Sequence, residues 1–178
     1  PGKDAAALIP LMMETTIPCV WGSTGIDWRS ELSRELAQKK LKWVVGSNFS
    51  LAMAVVKKMI AAMSKLPTLV PATQFHLMET HHLHKKDAPS GTALLWQQWL
   101  AKPVAIESKR LGEVVGTPTL TAQLPYENIV LTHEATDRRL FAAGALWAAQ
   151  ELQRNPSIPY GLTHFDHLVT SHLTQEKP

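Results

Sequence analysis

The stretch Glu79-Thr80-His81-His82-Leu83-His84-Lys85-Lys86-Asp87-Ala88-Pro89-Ser90-Gly91-Thr92-Ala93 constrains the fold of this chain more than any other. Before it, residues 73–82 read as a strand; after it, the apolar run Leu94, Leu95, Trp96, Trp99 and Leu100 reads as a helix. Ser90 is the expected N-cap, and Gly91, Thr92 and Ala93 form the first helical turn. The first N–H groups of a helix have no internal partner, and the macrodipole favours an anion there. A carboxylate or phosphate suits such an end, and Gly91 would let it come close to the backbone. The same residues also suit a plain turn that caps a helix.

His76, His81, His82 and His84 are four of the eight histidines of the chain. Strand alternation would put Glu79 and His81 on one face and His82 on the other. Imidazole is the side chain best placed to exchange a proton near neutral pH, and a bound diacid would help to keep such a donor charged. Zinc is the rival use for these rings. It asks for three or four converging ligands, whereas these histidines fall on opposite faces beside two lysines, without an HExxH or paired-cysteine pattern. No metal ligand is therefore assigned.

The order His81-His82-x-His84-Lys85-x-Asp87-Ala88-Pro89-Ser90-Gly91-Thr92-Ala93 resembles the signature of the dihydrodipicolinate reductase (4-hydroxy-tetrahydrodipicolinate reductase) family. Other segments agree in order. Gly22-Ser23-Thr24-Gly25 resembles the family's Gly-Thr-Thr-Gly turn, and Ser47-Asn48-Phe49-Ser50 its Asn-Phe-Ser segment. Thr132-His133-Glu134-Ala135, with Arg138, Phe141, Ala142, Gly144 and Ala145 after it, resembles the closing motif. The likeness runs from about Pro1 to Leu168.

The resemblance implies NAD(P)H-dependent reduction of a cyclic dicarboxylic imine in lysine and diaminopimelate biosynthesis. By that likeness His81 would protonate the enamine carbon after hydride arrives, and Lys85 would assist as a second cation. His82, Lys85, Ser90, Gly91 and Thr92 would hold the substrate carboxylates. Gly22, Ser23 and Thr24, with Gly46, Ser47, Asn48 and Phe49, would touch the nicotinamide half of NADH or NADPH. Which of the two cofactors is used stays open. A homotetramer, formed through the second domain, is likewise implied.

The sequence also departs from the family. The family opens with a strand and a Gly-x-x-Gly-x-Met-Gly loop that cradles the pyrophosphate, whereas this sequence starts at Pro1, near the end of the family's fourth Rossmann strand. The expectation is a fragment of a longer protein, or a relative that has lost the cofactor loop. Residues 110–116 replace a longer family loop, Thr117-Pro118 stands where the family has histidine, and Asp137 stands where it prefers serine. The expected fold is thus α/β plus α+β: a partial Rossmann-like unit followed by a dihydrodipicolinate-reductase-like C-terminal domain with a mixed sheet. Residues 1–48 would be the remnant of the dinucleotide-binding domain, and 49–155 the substrate-binding and oligomerisation domain. Residues 156–178 would return to the nucleotide-binding part.

Helices are expected over 5–13, 28–40, 51–63, 91–101, 140–153 and 162–173, and strands over 19–21, 42–45, 74–80, 104–108, 119–124 and 128–133. With 45% hydrophobic residues the chain can bury a core, and no apolar run reaches the ~18 residues of a membrane span. The net charge of +3 is mild, and Lys39-Lys40, Lys57-Lys58 and Lys85-Lys86 are scattered without interleaved aromatics, so neither nucleic acid nor membrane is an expected partner. The single Cys19 fits a reducing compartment: the cytoplasm, or a plastid if the source is a plant. Three readings follow. The first is the reductase or its substrate-binding part, the second a non-catalytic homologue serving in binding or assembly, and the third a metal-dependent hydrolase using the histidines.

Overall fold

The structure is a computed structural model that describes residues 2–23 and 25–174. Its chain divides into two compact units, residues 1–54 with 139–178 and residues 55–138. The fold is mixed α/β, with one all-parallel and one mixed sheet.

Unit 1 is built on three parallel strands, β1 (Cys19–Trp21), β2 (Lys42–Val45) and β7 (Gly161–His164), in the order β1-β2-β7. The central strand carries Trp43, Val44 and Val45, all essentially inaccessible, because a parallel strand is covered on both faces. One cluster joins Trp21, Leu36, Leu41, Trp43 and Val45, with Trp21 stacked on Trp43 at 5.8 Å. Another joins Val44, Phe49, Ala148, Leu152, Phe165 and Leu168. The helices that supply these residues include α3 (Ser30–Gln38), α7 (Arg139–Arg154) and α8 (Phe165–Thr174).

Two expectations fail here. The N-terminal helix is split into α1 (Gly2–Ala6) and α2 (Ile9–Met13). Pro10 lies in the first turn of α2, where its missing N–H is harmless; in a continuous helix its ring would clash with the carbonyl of Ala6. Residues 162–173 are not one helix either, since 161–164 form β7 before α8 begins. Gly161 has φ +112°, which a side chain resists, and that kink lets the chain turn into register beside β2.

Unit 2 holds a four-stranded sheet in the order β4-β3-β5-β6. Its strands are β3 (Gln74–His81), β4 (Ile106–Arg110), β5 (Thr117–Gln123) and β6 (Asn128–Thr132). β4 runs parallel to β3 after the crossover helix α6 (Gly91–Leu100), whereas β5 runs antiparallel to β3 and forms a hairpin with β6. α4 (Leu51–Met63) lies where the apolar spacing expects it, and α5 (Leu66–Leu69) is a single turn that periodicity does not register. β4 starts and ends two residues later than expected, which turns Arg110 from a loop residue into the last residue of a strand. Among the described residues no helix is long and apolar enough to cross a membrane.

Candidate active site

The site in unit 2 follows from pleat and register. Along β3 the side chains of Leu77, Glu79 and His81 share one face and all three are buried. Register then places Ser108 of β4 and Pro118 of β5 beside Glu79, and Arg110 of β4 beside His81. Residues directly paired in register lie on the same face, so a carboxylate, an imidazole, a hydroxyl and a guanidinium meet in one row.

Glu79 is wholly buried, yet it is supplied with donors. His81 Nδ1 donates to its Oε2, and Arg110 Nη1 donates to its Oε1 at 3.0 Å. Burial alone pushes the Glu79 carboxyl up, but hydrogen bonds from Ser108, His81 and Arg110 outweigh it and hold the group below the usual carboxylate range. An ionised carboxylate only accepts, so the proton of the His81–Glu79 contact sits on Nδ1. That leaves Nε2 as the nitrogen open for exchange. Gly116 flanks it: a Cβ there would come within 2.8 Å of Nε2.

Arg110 also reaches into the loop that follows β3. Its Nε donates to the Lys85 carbonyl at 3.3 Å and its Nη2 to the Asp87 carbonyl at 2.6 Å. Lys85 Nζ lies 2.8 Å from Asp87 Oδ1, and this ion pair holds the Asp87 carboxyl below its ordinary value. The backbone continues the clamp, with Leu111 donating to the His81 carbonyl at 2.8 Å and Leu83 to that of Gly112 at 3.1 Å. The loop carrying Lys85 is therefore tied to the strand carrying the imidazole.

The helix start is formed as its residues require. Ser90 is buried, extended at φ −68°, and its hydroxyl accepts from the Ala93 amide at 3.2 Å. Gly91 is exposed with nothing within 4 Å of a notional Cβ, so the backbone is open to approach. Thr92 and His82 are half-buried, and His82 and His84 have ring centroids 6.3 Å apart. Burial pushes the His133 imidazole below its usual range. Arg138 is exposed. Among the described residues no three His, Cys, Asp or Glu converge as a metal set.

Sequence spacing alone assigns no role to Glu79, Arg110 or Gly116. Period-two spacing already puts Glu79 beside His81. Arg110 gives no local signal, because its carboxylate partner is 31 residues away.

The residues expected to touch nicotinamide lie in unit 1. A cavity of about 210 Å³ opens at the carboxyl ends of its parallel strands, lined by Ser23, Gly25, Trp28, Gly46, Ser47 and His164 among others. Such crevices are where open α/β sheets take ligands. The Gly46 amide donates to the Trp21 carbonyl at 3.1 Å, and Asn48 Oδ1 accepts from the Ser50 amide at 2.8 Å. A Cβ on Gly22 would touch the Phe49 ring at 3.4 Å, and Phe49 itself is buried against Phe165 at 4.6 Å. Thr24 lies outside the described residues.

Comparison with known proteins meets this geometry. Residues 49–165 match the family described as Dihydrodipicolinate reductase, C-terminus. The 4-hydroxy-tetrahydrodipicolinate reductase of Xanthomonas axonopodis pv. citri is 35% identical over 87% of this chain and 65% of its own length. That of Xylella fastidiosa (strain 9a5c) is 35% identical over 83% of this chain and 62% of its own length. The chain thus spans somewhat under two thirds of the length of these relatives. The dipicolinate-bound dihydrodipicolinate reductase of Paenisporosarcina sp. TG-14 shares the fold, with a TM-score of 0.72 at 20% identity, covering 92% of this chain and 69% of that one. The chain belongs to the dihydrodipicolinate reductase family.

Proposed function

We propose that this chain is the substrate-binding part, with one side of the nicotinamide site, of an NAD(P)H-dependent reductase that converts 4-hydroxy-tetrahydrodipicolinate to tetrahydrodipicolinate. One observation carries the reading: a buried carboxylate holds Nδ1 of His81, inside the stretch by which the chain resembles the family. The 35% identity to reductases named for this substrate, and the dipicolinate of the Paenisporosarcina protein, support it.

The residues divide the work. Lys85 and the open backbone at Gly91, at the start of α6, suit two carboxylates: an ammonium, here paired with Asp87, and a helix N-terminus each favour negative charge. His82, Ser90 and Thr92 complete this wall in the proposal. His81 gives up a proton from Nε2 to the substrate carbon, and Glu79 stabilises the imidazole that remains. The cavity bounded by Ser23, Gly46 and Ser47 offers small side chains to a flat ring, and with Gly22, Thr24, Asn48 and Phe49, which the resemblance adds, it is assigned to the nicotinamide. The cofactor, NADH or NADPH, supplies the hydride; the protein orients, neutralises and donates the proton.

By the same resemblance, residues 1–48 and 156–178 would serve the cofactor side. Residues 49–155 would serve substrate and assembly, in a cytoplasmic homotetramer. Oxidation of NADH or NADPH with the cyclic imine tests the reading. His81→Ala should lower turnover by about 100- to 10,000-fold with little change in KM. Undiminished turnover would remove His81 as the acid.

A further inference from the structure

The row formed by Glu79, His81 and Arg110 holds more than an acid. On the reductase reading above, we propose that Glu79 and Arg110 are positioning residues that fix His81 as the Nδ1–H tautomer, so that Nε2 alone exchanges the proton. Arg110 sets both the carboxylate and the loop that carries Lys85.

A guanidinium has five N–H donors and no acceptor, so the Glu79 oxygen that Arg110 faces must be an acceptor. The other carboxylate oxygen then faces His81 Nδ1, and it too can only accept while the group is ionised. Ser108 lies beside Glu79 in register and helps to keep the carboxyl ionised, and the group has no exposed surface. Both sides of Glu79 are therefore committed, and the imidazole is held with its proton on the carboxylate side.

The transfer then balances in one way. The Nε2–H bond of the imidazolium breaks and its electron pair stays on Nε2, while the π pair of the enamine left after hydride arrival forms the C–H bond at the substrate carbon. The neutral ring left behind is the Nδ1–H tautomer that Glu79 already binds, so no reorganisation follows the step. Gly116 serves this arrangement by leaving room beside Nε2, which a Cβ would approach to 2.8 Å. Arg110 binds the Lys85 and Asp87 carbonyls with the same head group that touches Glu79. One side chain thus couples the proton donor to the loop of the ammonium.

An isosteric change separates this role from simple support. In Glu79→Gln, Arg110 would claim the amide oxygen, turning the NH2 toward His81. Nδ1 would then have to accept, and the neutral ring would carry its proton on Nε2. Long-range proton–nitrogen spectra of the 178-residue chain labelled in histidine nitrogen, recorded above the histidine range, read this directly. The His81 signals are found by their loss in His81→Gln. The expected result is Nδ1–H in the wild type and a complete move of the proton to Nε2 in Glu79→Gln, with Glu79→Asp restoring Nδ1–H. An Nε2–H wild type overturns the proposal even if no variant folds, and so does an unchanged tautomer in a folded Glu79→Gln. Dipicolinate added to the same sample keeps the two readings apart. Unmoved His81 signals with the expected tautomer would remove the reductase reading and leave the Glu79 hold standing. Moved signals on an Nε2–H ring would remove only the hold.

Discussion

In unit 1 the buried polar side chains among the described residues are the hydroxyls of Ser50 and Thr163, and the rest of its interior is Trp43, Val44, Leu36, Phe165 and their apolar neighbours. Unit 2 buries a carboxylate and an imidazole in the middle of a sheet. The first interior is specified by volume and the second by pairing. A parallel sheet covered on both faces has little room for a charge, so unit 1 keeps its candidate ligand groups on turns at the strand ends. Unit 2 can bury Glu79 because two neighbouring strands bring it donors.

The largest effect should come from breaking the pairing. Arg110→Met leaves the wholly buried Glu79 without its guanidinium, and removing one partner of a buried pair costs about 3–5 kcal/mol. The urea midpoint should fall accordingly. Because the folded Glu79 carboxyl lies below its ordinary value, its contribution is present above that ordinary value and lost as pH falls through the lowered one. The gap between wild type and Arg110→Met should therefore narrow on acidification. A gap that stays constant would show that the ionised Glu79 does not hold unit 2 together.

A smaller loss is expected from volume alone. In Gly144→Ala the new Cβ would lie 1.7 Å from the Phe49 carbonyl oxygen, so α7 must shift against its own unit. Overpacking of this kind costs about 1–3 kcal/mol. No titratable group enters the contact, and the loss should be the same from neutral to mildly acid pH. A strong pH dependence there would show that unit 1 is not governed by volume.

Legibility divides along the same line. Local rules reach Ser90 as an N-cap, the bounds of α4, and the shared face of Glu79 and His81, because each depends on spacing within a few residues. The break at Pro10 was readable, since proline within a helix pattern restarts it. β7 was not, because four residues give too little periodicity to part a strand from the start of a helix, and only its pairing with β2 defines it. Arg110 was hidden for a related reason: its role depends on the parallel register of β4 with β3, which the crossover through α6 creates.

In the proposed reading, the imidazole held by Glu79 and the ammonium of Lys85 form one site for a diacid. Calorimetric titration of the chain with dipicolinate tests it most directly. Saturable one-to-one binding is expected, weakened roughly ten- to a hundredfold in Lys85→Ala, since a charge-assisted contact is worth about 1.5–3 kcal/mol. Absence of binding, or equal binding by Lys85→Ala, would contradict it.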